Sequence, residues 1–326
     1  MKKIIITGGA GYVGSSLVPA LLLKGYIVTV LDLMLYGEDV LKDHANLTKI
    51  KGDIRDTKLL NNIIPGNDTL IHLACISNDP SFELNPKLGK SINLDAFEPL
   101  VKTAKKNNIN RFIYASSSSV YGVKNEENVN EEMKLEPLTD YSKYKAECER
   151  ILLKNYSENF ITVTARPATV CGYARRQRLD VVVNILSNLA YHKRKISVFG
   201  GDQLRPNIHI DDMVRAYIAL INEKSANING KIFNIGYENH KVIDIANTVK
   251  EVIGDDIEIN REHSNDNRSY HISSKKIYEE IGFKPIKNIK DAVLDLRKAF
   301  EKKLLIDPLN NENYFNIKKM QSINLE

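Results

Sequence analysis

The chain has no apolar run approaching the roughly 18 residues that a membrane-crossing helix needs. Its first residues, MKKIIITGGAG, start like the basic end of an export signal. The apolar run stops at Thr7 and becomes glycine-rich, so no signal peptide is expected. Cysteine is scarce: Cys75, Cys148 and Cys171 are odd in number and lack metal-ligand spacing, which suits small core residues in a reducing cytoplasm. No pair among His72, His209 and His240 has metal-ligand spacing either. No metal is expected, and His72, on an apolar run, reads as a core residue. No long basic run with interleaved aromatics points to nucleic acid. The formal charge of +5 leaves most of the 46 Lys and Arg residues to solvate the surface.

What is present is enough apolar material for a large core or a core with a satellite: 326 residues, 43% hydrophobic. In the first half, short β-branched runs alternate with helical patterns. Strands are expected at 3–7, 27–32, 48–51, 69–73, 111–116 and 161–164, several apolar almost throughout, as strands covered on both faces must be. Helices are expected around Leu17–Leu22, with Gly25 as a stop, and near 87–107 and 141–155. This alternation predicts an α/β fold with a doubly wound parallel sheet. The second half reads as helices at 179–191, 211–222, 242–253, 274–281 and 291–303, with strands at 196–199 and 231–235. The expected division is a cofactor domain over 1–170, rejoined by segments near 205–240, and a smaller mixed α/β domain over 171–204 and 241–305. The Asn- and Lys-rich tail at 306–326 is expected to be mobile unless Tyr314 and Phe315 anchor it.

The first strand runs into TGGAGYVG, where Gly8, Gly11 and Gly14 flank Tyr12 and Val13 and open a helix. Glycines at this spacing let backbone approach a pyrophosphate seated on the helix N-terminus. Asp32 ends the next strand about twenty residues on, where a carboxylate accepts from the ribose hydroxyls. It would repel a 2′-phosphate, and Leu33, Met34 and Leu35 supply no arginine to offset it, so NAD is expected over NADP. Tyr141 and Lys145 stand four apart on one helix face, an arrangement suited to a phenol base beside an ammonium. The Y-x-x-x-K pattern also starts at Tyr191, Tyr237 and Tyr314. Position separates them: only Tyr141 opens a helix after the fifth strand, some twenty residues past a serine run at that strand's end. Arg175, Arg176 and Arg178 form a basic cluster suited either to a diphosphate or to solvent.

TGGAGYVG, GDIRD, HLAC, SSSSVYG, YSKYK and RPNIHIDD, in that order, resemble the extended short-chain dehydrogenase/reductases, in particular the nucleotide-sugar epimerase/dehydratase family, over residues 1 to about 300. The resemblance implies that Asp53 and Ile54 contact adenine and that Leu73, Ala74 and Ser77 line the cofactor. It gives Asn93 a water- or backbone-binding role beside the site, against a simple helix–helix bond. By it, Ser117, five residues before Gly122, is the catalytic hydroxyl, with Tyr141 the base and Lys145 tuning it and holding the nicotinamide ribose. On the substrate side it points to Thr169, Arg178, Arg205 and Arg268. Thr169 stands where many relatives carry asparagine. Asn184 faces either the nucleotide, the core or the surface.

The expected activity is NAD-dependent epimerisation at C4 of a nucleoside-diphosphate sugar through a 4-keto intermediate, in a homodimer built on the 87–107 and 141–155 helices. A net 4-dehydrogenase and, in another class, a non-catalytic dinucleotide sensor or scaffold are the alternatives. Relatives that dehydrate across C5 and C6 carry an Asp-Glu pair after the catalytic hydroxyl. Here Ser118 and Ser119 occupy those places, and Glu126 and Glu127 lie beyond the VYG turn.

Overall fold

Ile4 and Ile6 of the first strand belong to one apolar cluster and Ile5 to another, all with no solvent exposure. A strand buried on both faces is the signature of a sheet with helices on either side. The structure, a computed structural model, describes residues 2–77, 79–263, 269 and 271–323. Its strands are β1 (Lys3–Thr7), β2 (Ile27–Asp32), β3 (Leu47–Lys51), β4 (Thr69–His72), β5 (Arg111–Ala115), β6 (Ile161–Pro167), β7 (Thr169–Cys171), β8 (Lys195–Phe199), β9 (Leu204–His209), β10 (Lys231–Ile235), β11 (Glu238–Lys241) and β12 (Glu258–Glu262). Seven of them form a parallel sheet in the order β10-β6-β5-β4-β1-β2-β3. The chain reverses direction across the sheet between β1 and β4, which leaves a crevice at their carboxyl ends where doubly wound folds bind ligands.

Helices Gly14–Leu23 and Ile210–Asn222 cover one face with Leu17, Val18, Leu21, Met213, Tyr217 and Leu220. Helices Phe97–Lys106 and Asp140–Leu153 cover the other with Phe97, Leu100, Val101, Cys148 and Leu152. His72 is buried among Phe97, Phe112 and Tyr114, and its Nδ1 pairs with the Thr7 hydroxyl at 2.7 Å. Burial pushes its pKa down to about 3, so it is a neutral core residue, as its apolar setting in the sequence predicts.

The helix expected over 87–107 is broken. Pro86–Lys90 leads into a π turn at Ser91–Asp95 before Phe97–Lys106 begins. The wider turn presents Asn93 sideways, and its amide bonds both backbone groups of Ile76, at 2.8 and 2.9 Å.

In the second half, helices Val182–Lys193, Val242–Ile253 and Ile289–Glu301 enclose a separate core with Val183, Ile245, Val249 and Val293. Two small sheets flank it, β11-β9-β7 and β12-β8. The chain returns to the large sheet through the Ile210–Asn222 helix and β10, whereas β9 and β11, at either end of that passage, pair with each other in the small sheet. The tail is packed through residue 322. Tyr314 and Phe315 pack with Leu179, Leu296 and Phe300, the Tyr314 carbonyl accepts from the Leu179 amide at 2.8 Å, and a last helix runs Asn316–Ser322. Among the described residues, no helix is long and apolar enough to cross a membrane.

Candidate active site

The turn between β1 and the Gly14–Leu23 helix is tight enough to dictate its residues. Gly8 has φ +75°, and a Cβ there would lie 2.5 Å from the Ala74 amide nitrogen; a Cβ on Gly14 would lie 2.3 Å from the Gly9 carbonyl. No side chain caps the start of that helix; the Ser15 and Ser16 amides bond the Gly11 and Val13 carbonyls at 2.8 and 3.1 Å, and the positive end of the helix dipole faces the turn, where it favours an anion. The Asp32 carboxylate accepts from the Ala10 and Met34 amides at 2.9 and 2.8 Å. Two amides occupy about half of a carboxylate's lone pairs and leave the rest for ribose hydroxyls. Burial raises the Asp32 pKa, opposed by those amides and by the Arg176 charge. Asp53 forms a fork with Arg55, with contacts of 2.7 and 3.0 Å.

One cavity of about 420 Å³ joins these features to the expected catalytic group. Its lining includes Gly8, Gly11, Tyr12, Val13, Gly14, Asp32, Asp53, Ile54, Leu73, Ala74 and Ser77, then Ser117, Tyr141, Lys145, Thr169 and Arg178. The Asp140–Leu153 helix starts at a capping box between Thr139 and Ser142, which fixes Tyr141 in its first turn at the cavity wall. Tyr141, Lys145 and Glu149 follow at four-residue spacing. Lys145 Nζ donates to the Ala115 carbonyl at 2.7 Å and lies 5.8 Å from the Tyr141 ring centre. Glu149 forms a buried ion pair with Arg166 on β6, 2.6 Å at the closest, and accepts from the Ser116 hydroxyl. Ser116 is thereby held by the helix, while Ser117 accepts from the Ser119 amide and hydroxyl at 3.1 and 2.9 Å.

Burial drives the Tyr141 phenol well above its ordinary pKa, helped by Cys75 and Asp79. The Arg178 charge and a hydrogen bond with Ser117 pull it back. The lowering expected from Lys145 alone is therefore outweighed in the protein by desolvation.

Three of the expected residues are outside the lining of this cavity. Asn93 bonds both backbone groups of Ile76, which is in the lining, and so sits beside the site on backbone. Asn184 is fully buried; it accepts from the Gly172 amide at 2.9 Å and donates to the Tyr12 hydroxyl at 3.0 Å and the Arg178 carbonyl at 2.8 Å. All its polar atoms are engaged within the protein, where it braces the Arg178 loop from the core, one of the three positions the sequence leaves open. Arg205, on β9, donates to the Leu204 carbonyl at 2.9 Å and lies outside the lining. Arg268 lies outside the described residues. The arginine cluster divides: Arg175 is exposed and bonds the Asp39 carbonyl, Arg176 is buried against Tyr36, and Arg178 pairs with Asp180 at 2.8 Å. Tyr36, Asp79, Arg176, Asn316 and Met320 also line the cavity. For Asn316 and Met320 the sequence carries no motif, since only folding brings the tail to the site. His209, Asp211 and Asp295 converge away from this cavity. There the Asp211 amide donates to His209 Nδ1 at 3.1 Å, and Lys287 reaches Asp211 at 2.6 Å, so an ammonium supplies the balancing charge.

The model of the NAD dependent epimerase/dehydratase family matches residues 4–236. The chain belongs to that family. It is 25% identical over 313 residues to a UDP-glucose 4-epimerase of Lactobacillus helveticus, covering 89% of this chain and 94% of the relative. It is 31% identical over 259 residues to a dTDP-D-glucose 4,6-dehydratase of Dictyostelium discoideum, covering 72% and 58%. Among solved structures, a UDP-N-acetylglucosamine 4-epimerase from Methanobrevibacter ruminantium M1, in complex with UDP-N-acetylmuramic acid, aligns at TM-score 0.84 and 25% identity over 93% of this chain and 99% of that one. As a member of an NAD-dependent family, the chain is an enzyme of the extended short-chain dehydrogenase/reductase type, and the glycine turn with Asp32 fits its cofactor.

Asp32 also sets a preference that can be measured. Titration calorimetry should show NAD binding more tightly than NADP, because a 2′-phosphate would meet the half-buried Asp32 carboxylate. Asp32→Ala should narrow that gap; equal or tighter NADP binding by the parent would refute the role.

Proposed function

We propose that this family member is an NAD-dependent epimerase acting at C4 of a nucleoside-diphosphate sugar, by way of a 4-keto sugar. The observation that carries the reading is the placement of Ser117, Tyr141 and Lys145 together on a cavity continuous with the glycine turn, with Ser118 and Ser119, and no carboxylate pair, directly after Ser117. Bound NAD supplies a hydride acceptor and, when oxidised, a positive charge that favours the Tyr141 phenolate. Tyr141 takes the C4 hydroxyl proton. Ser117 donates to the same oxygen and stabilises the charge that develops on it. Lys145 holds the nicotinamide ribose and keeps the positive side of the site against the phenol. Bound cofactor would also supply the hydride for the other face of the turned ketone, with no net NADH, and Tyr141 would give the proton back to the C4 oxygen.

Thr169 and Arg178 lie toward the sugar-nucleotide end, and Arg205 and Arg268 belong to the nucleotide subsite in this reading. The working unit is a cytoplasmic homodimer packed through the helices at 87–107 and 141–155. The cofactor domain spans 1–170 with a return near 205–240, and the substrate domain spans 171–204 and 241–305. Elimination of water across C5 and C6 is not expected, because an unassisted serine is too weak an acid and base for it. Glu126 and Glu127 are exposed to solvent.

The test is incubation with a panel of nucleoside-diphosphate sugars in ²H₂O, followed by NMR and mass spectrometry. A C4 epimer at unchanged mass with no net NADH is the expected product. A 4-keto sugar with stoichiometric NADH would make the protein a dehydrogenase. A 6-deoxy-4-keto product would show that another residue supplies the acid. Binding without turnover of any sugar would point to a sensor.

A further inference from the structure

The tail does more than pack. Asn316, with 4% of its surface exposed, lies between two banks of the cofactor end of the cavity. On one side its Oδ1 accepts from Arg176 at 2.5 Å and from the Tyr36 hydroxyl at 3.1 Å. On the other its Nδ2 donates to the Ser77 hydroxyl at 2.8 Å. Its own amide is fixed by Asp180 at 2.8 Å. One turn on, Met320 reaches the cavity and packs with the apolar cluster that contains Ile54, Ile76 and Ile92.

Arg176 is the unusual member. It is 4% exposed, its guanidinium lies 3.5 Å from the centre of the Tyr36 ring, and its amide bonds Ser15 in the first turn of the helix that follows the glycine turn. Among the described residues no carboxylate lies in ion-pair range of it, and its Nε has no hydrogen-bond partner. Its charge is felt at Asp32. A buried arginine is ordinarily paired. This one is oriented by a neutral amide and an aromatic face and borders the space where the dinucleotide's phosphates belong.

We propose that Arg176 is a phosphate-binding residue for NAD, not for the sugar nucleotide, and that Glu312–Ser322 is a latch that holds it there through Asn316. Arg176 comes from the loop after β7 and Asn316 from the tail, so the dinucleotide would be enclosed by three separate stretches of chain. The inference rests on NAD occupying this cavity and is independent of the reaction performed on the sugar.

Stopped-flow release of NADH, chased with excess NAD, tests it on the full chain. Asn316→Ala should release NADH about tenfold faster, with native circular dichroism retained in the absence of ligand. Arg176→Met keeps an apolar stem against Tyr36 and loses the charge. It should weaken NADH at least tenfold while leaving the affinity for adenosine, which has no phosphate, within about twofold. An equal loss for both ligands would mean a structural role and overturn the proposal, as would parent-like release by Asn316→Ala. Hydrogen exchange on the parent gives a readout that needs no variant: NADH should slow exchange of the amides at 312–322, and no change would overturn the latch. If the parent itself binds no NADH, the cofactor reading falls as well.

Discussion

Tyr141→Phe should lower turnover by at least the 10²-fold typical of general acid–base catalysis, with NADH binding retained. The substitution removes one oxygen at the cavity wall and leaves the ring in place on a helix whose capping box is untouched. Because burial raises the phenol pKa, the base form is scarce at neutral pH and grows as pH rises. Turnover by the parent should therefore climb with pH until the phenol is ionised. The phenylalanine variant should lose that slope along with the rate. A variant with near-parent turnover, or with the same pH slope, would place the base elsewhere. Steady-state rates from pH 6 to 10 with NADH titrations alongside decide it.

The second large effect concerns stability. Glu149→Gln should destabilise the protein by about 3–5 kcal/mol, the range seen when one partner of a buried ion pair is removed. Arg166 is 2% exposed, and Glu149 receives both its Nε and its Nη2. Glutamine keeps one accepting oxygen but carries no charge and turns an NH₂ donor toward the guanidinium; the Tyr121 hydroxyl, at 2.7 Å from Nη1, is the other oxygen partner. Pairing with Glu149 holds the Arg166 pKa above its ordinary value; the variant loses that support, yet arginine's ordinary pKa lies so far above neutral that the cation persists unpaired. Replacing both residues by apolar ones of similar volume, as in Glu149→Leu with Arg166→Met, should recover most of the loss. Urea unfolding of the parent and the two variants measures this. A loss below about 1 kcal/mol for Glu149→Gln would mean that water or a shifted side chain compensates the arginine. The same pair ties the helix bearing Tyr141 and Lys145 to the end of β6, so its loss should also loosen the catalytic face.

The large sheet was legible because strands such as Ile4–Ile6 and Leu70–Ile71 are apolar on successive residues, a pattern that burial on both faces demands. The glycine turn, Asp32, and the pair Tyr141 and Lys145 were legible because their chemistry is tied to fixed spacings on adjacent elements. The strands β7, β9, β11 and β12 were not. They sit in small sheets, and their residues, as in Glu258–Glu262 and Leu204–His209, mix polar and apolar types with no alternation to read. The π turn at Asn93 escaped because one extra residue in a helical turn leaves the apolar pattern nearly unchanged. Asn184 stayed open between nucleotide, core and surface because a buried amide that braces a loop and one that faces a ligand look alike in sequence. The roles of Arg176 and Asn316 depend on a contact between residues 140 positions apart, which no local pattern encodes.

The seventh strand has a consequence for how the protein is made. β10 pairs with β6 at the edge of the large sheet, yet 63 residues separate Pro167 from Lys231. A nascent chain that has completed β1 to β6 therefore carries an unpaired edge strand, Ile161–Pro167, whose residues are apolar or β-branched except Arg166. Such edges recruit neighbouring chains. At synthesis rates of about 5–20 residues per second, that edge stays open for seconds before β10 emerges. The tail that borders the cofactor cavity arrives later still. The order of translation thus runs against the order of function: the residues that recognise the dinucleotide come first, and those that seal the sheet and the cavity come last. Truncated or stalled chains ending before Lys231 would be aggregation-prone species, with a chaperone or a second chain competing for the place of β10.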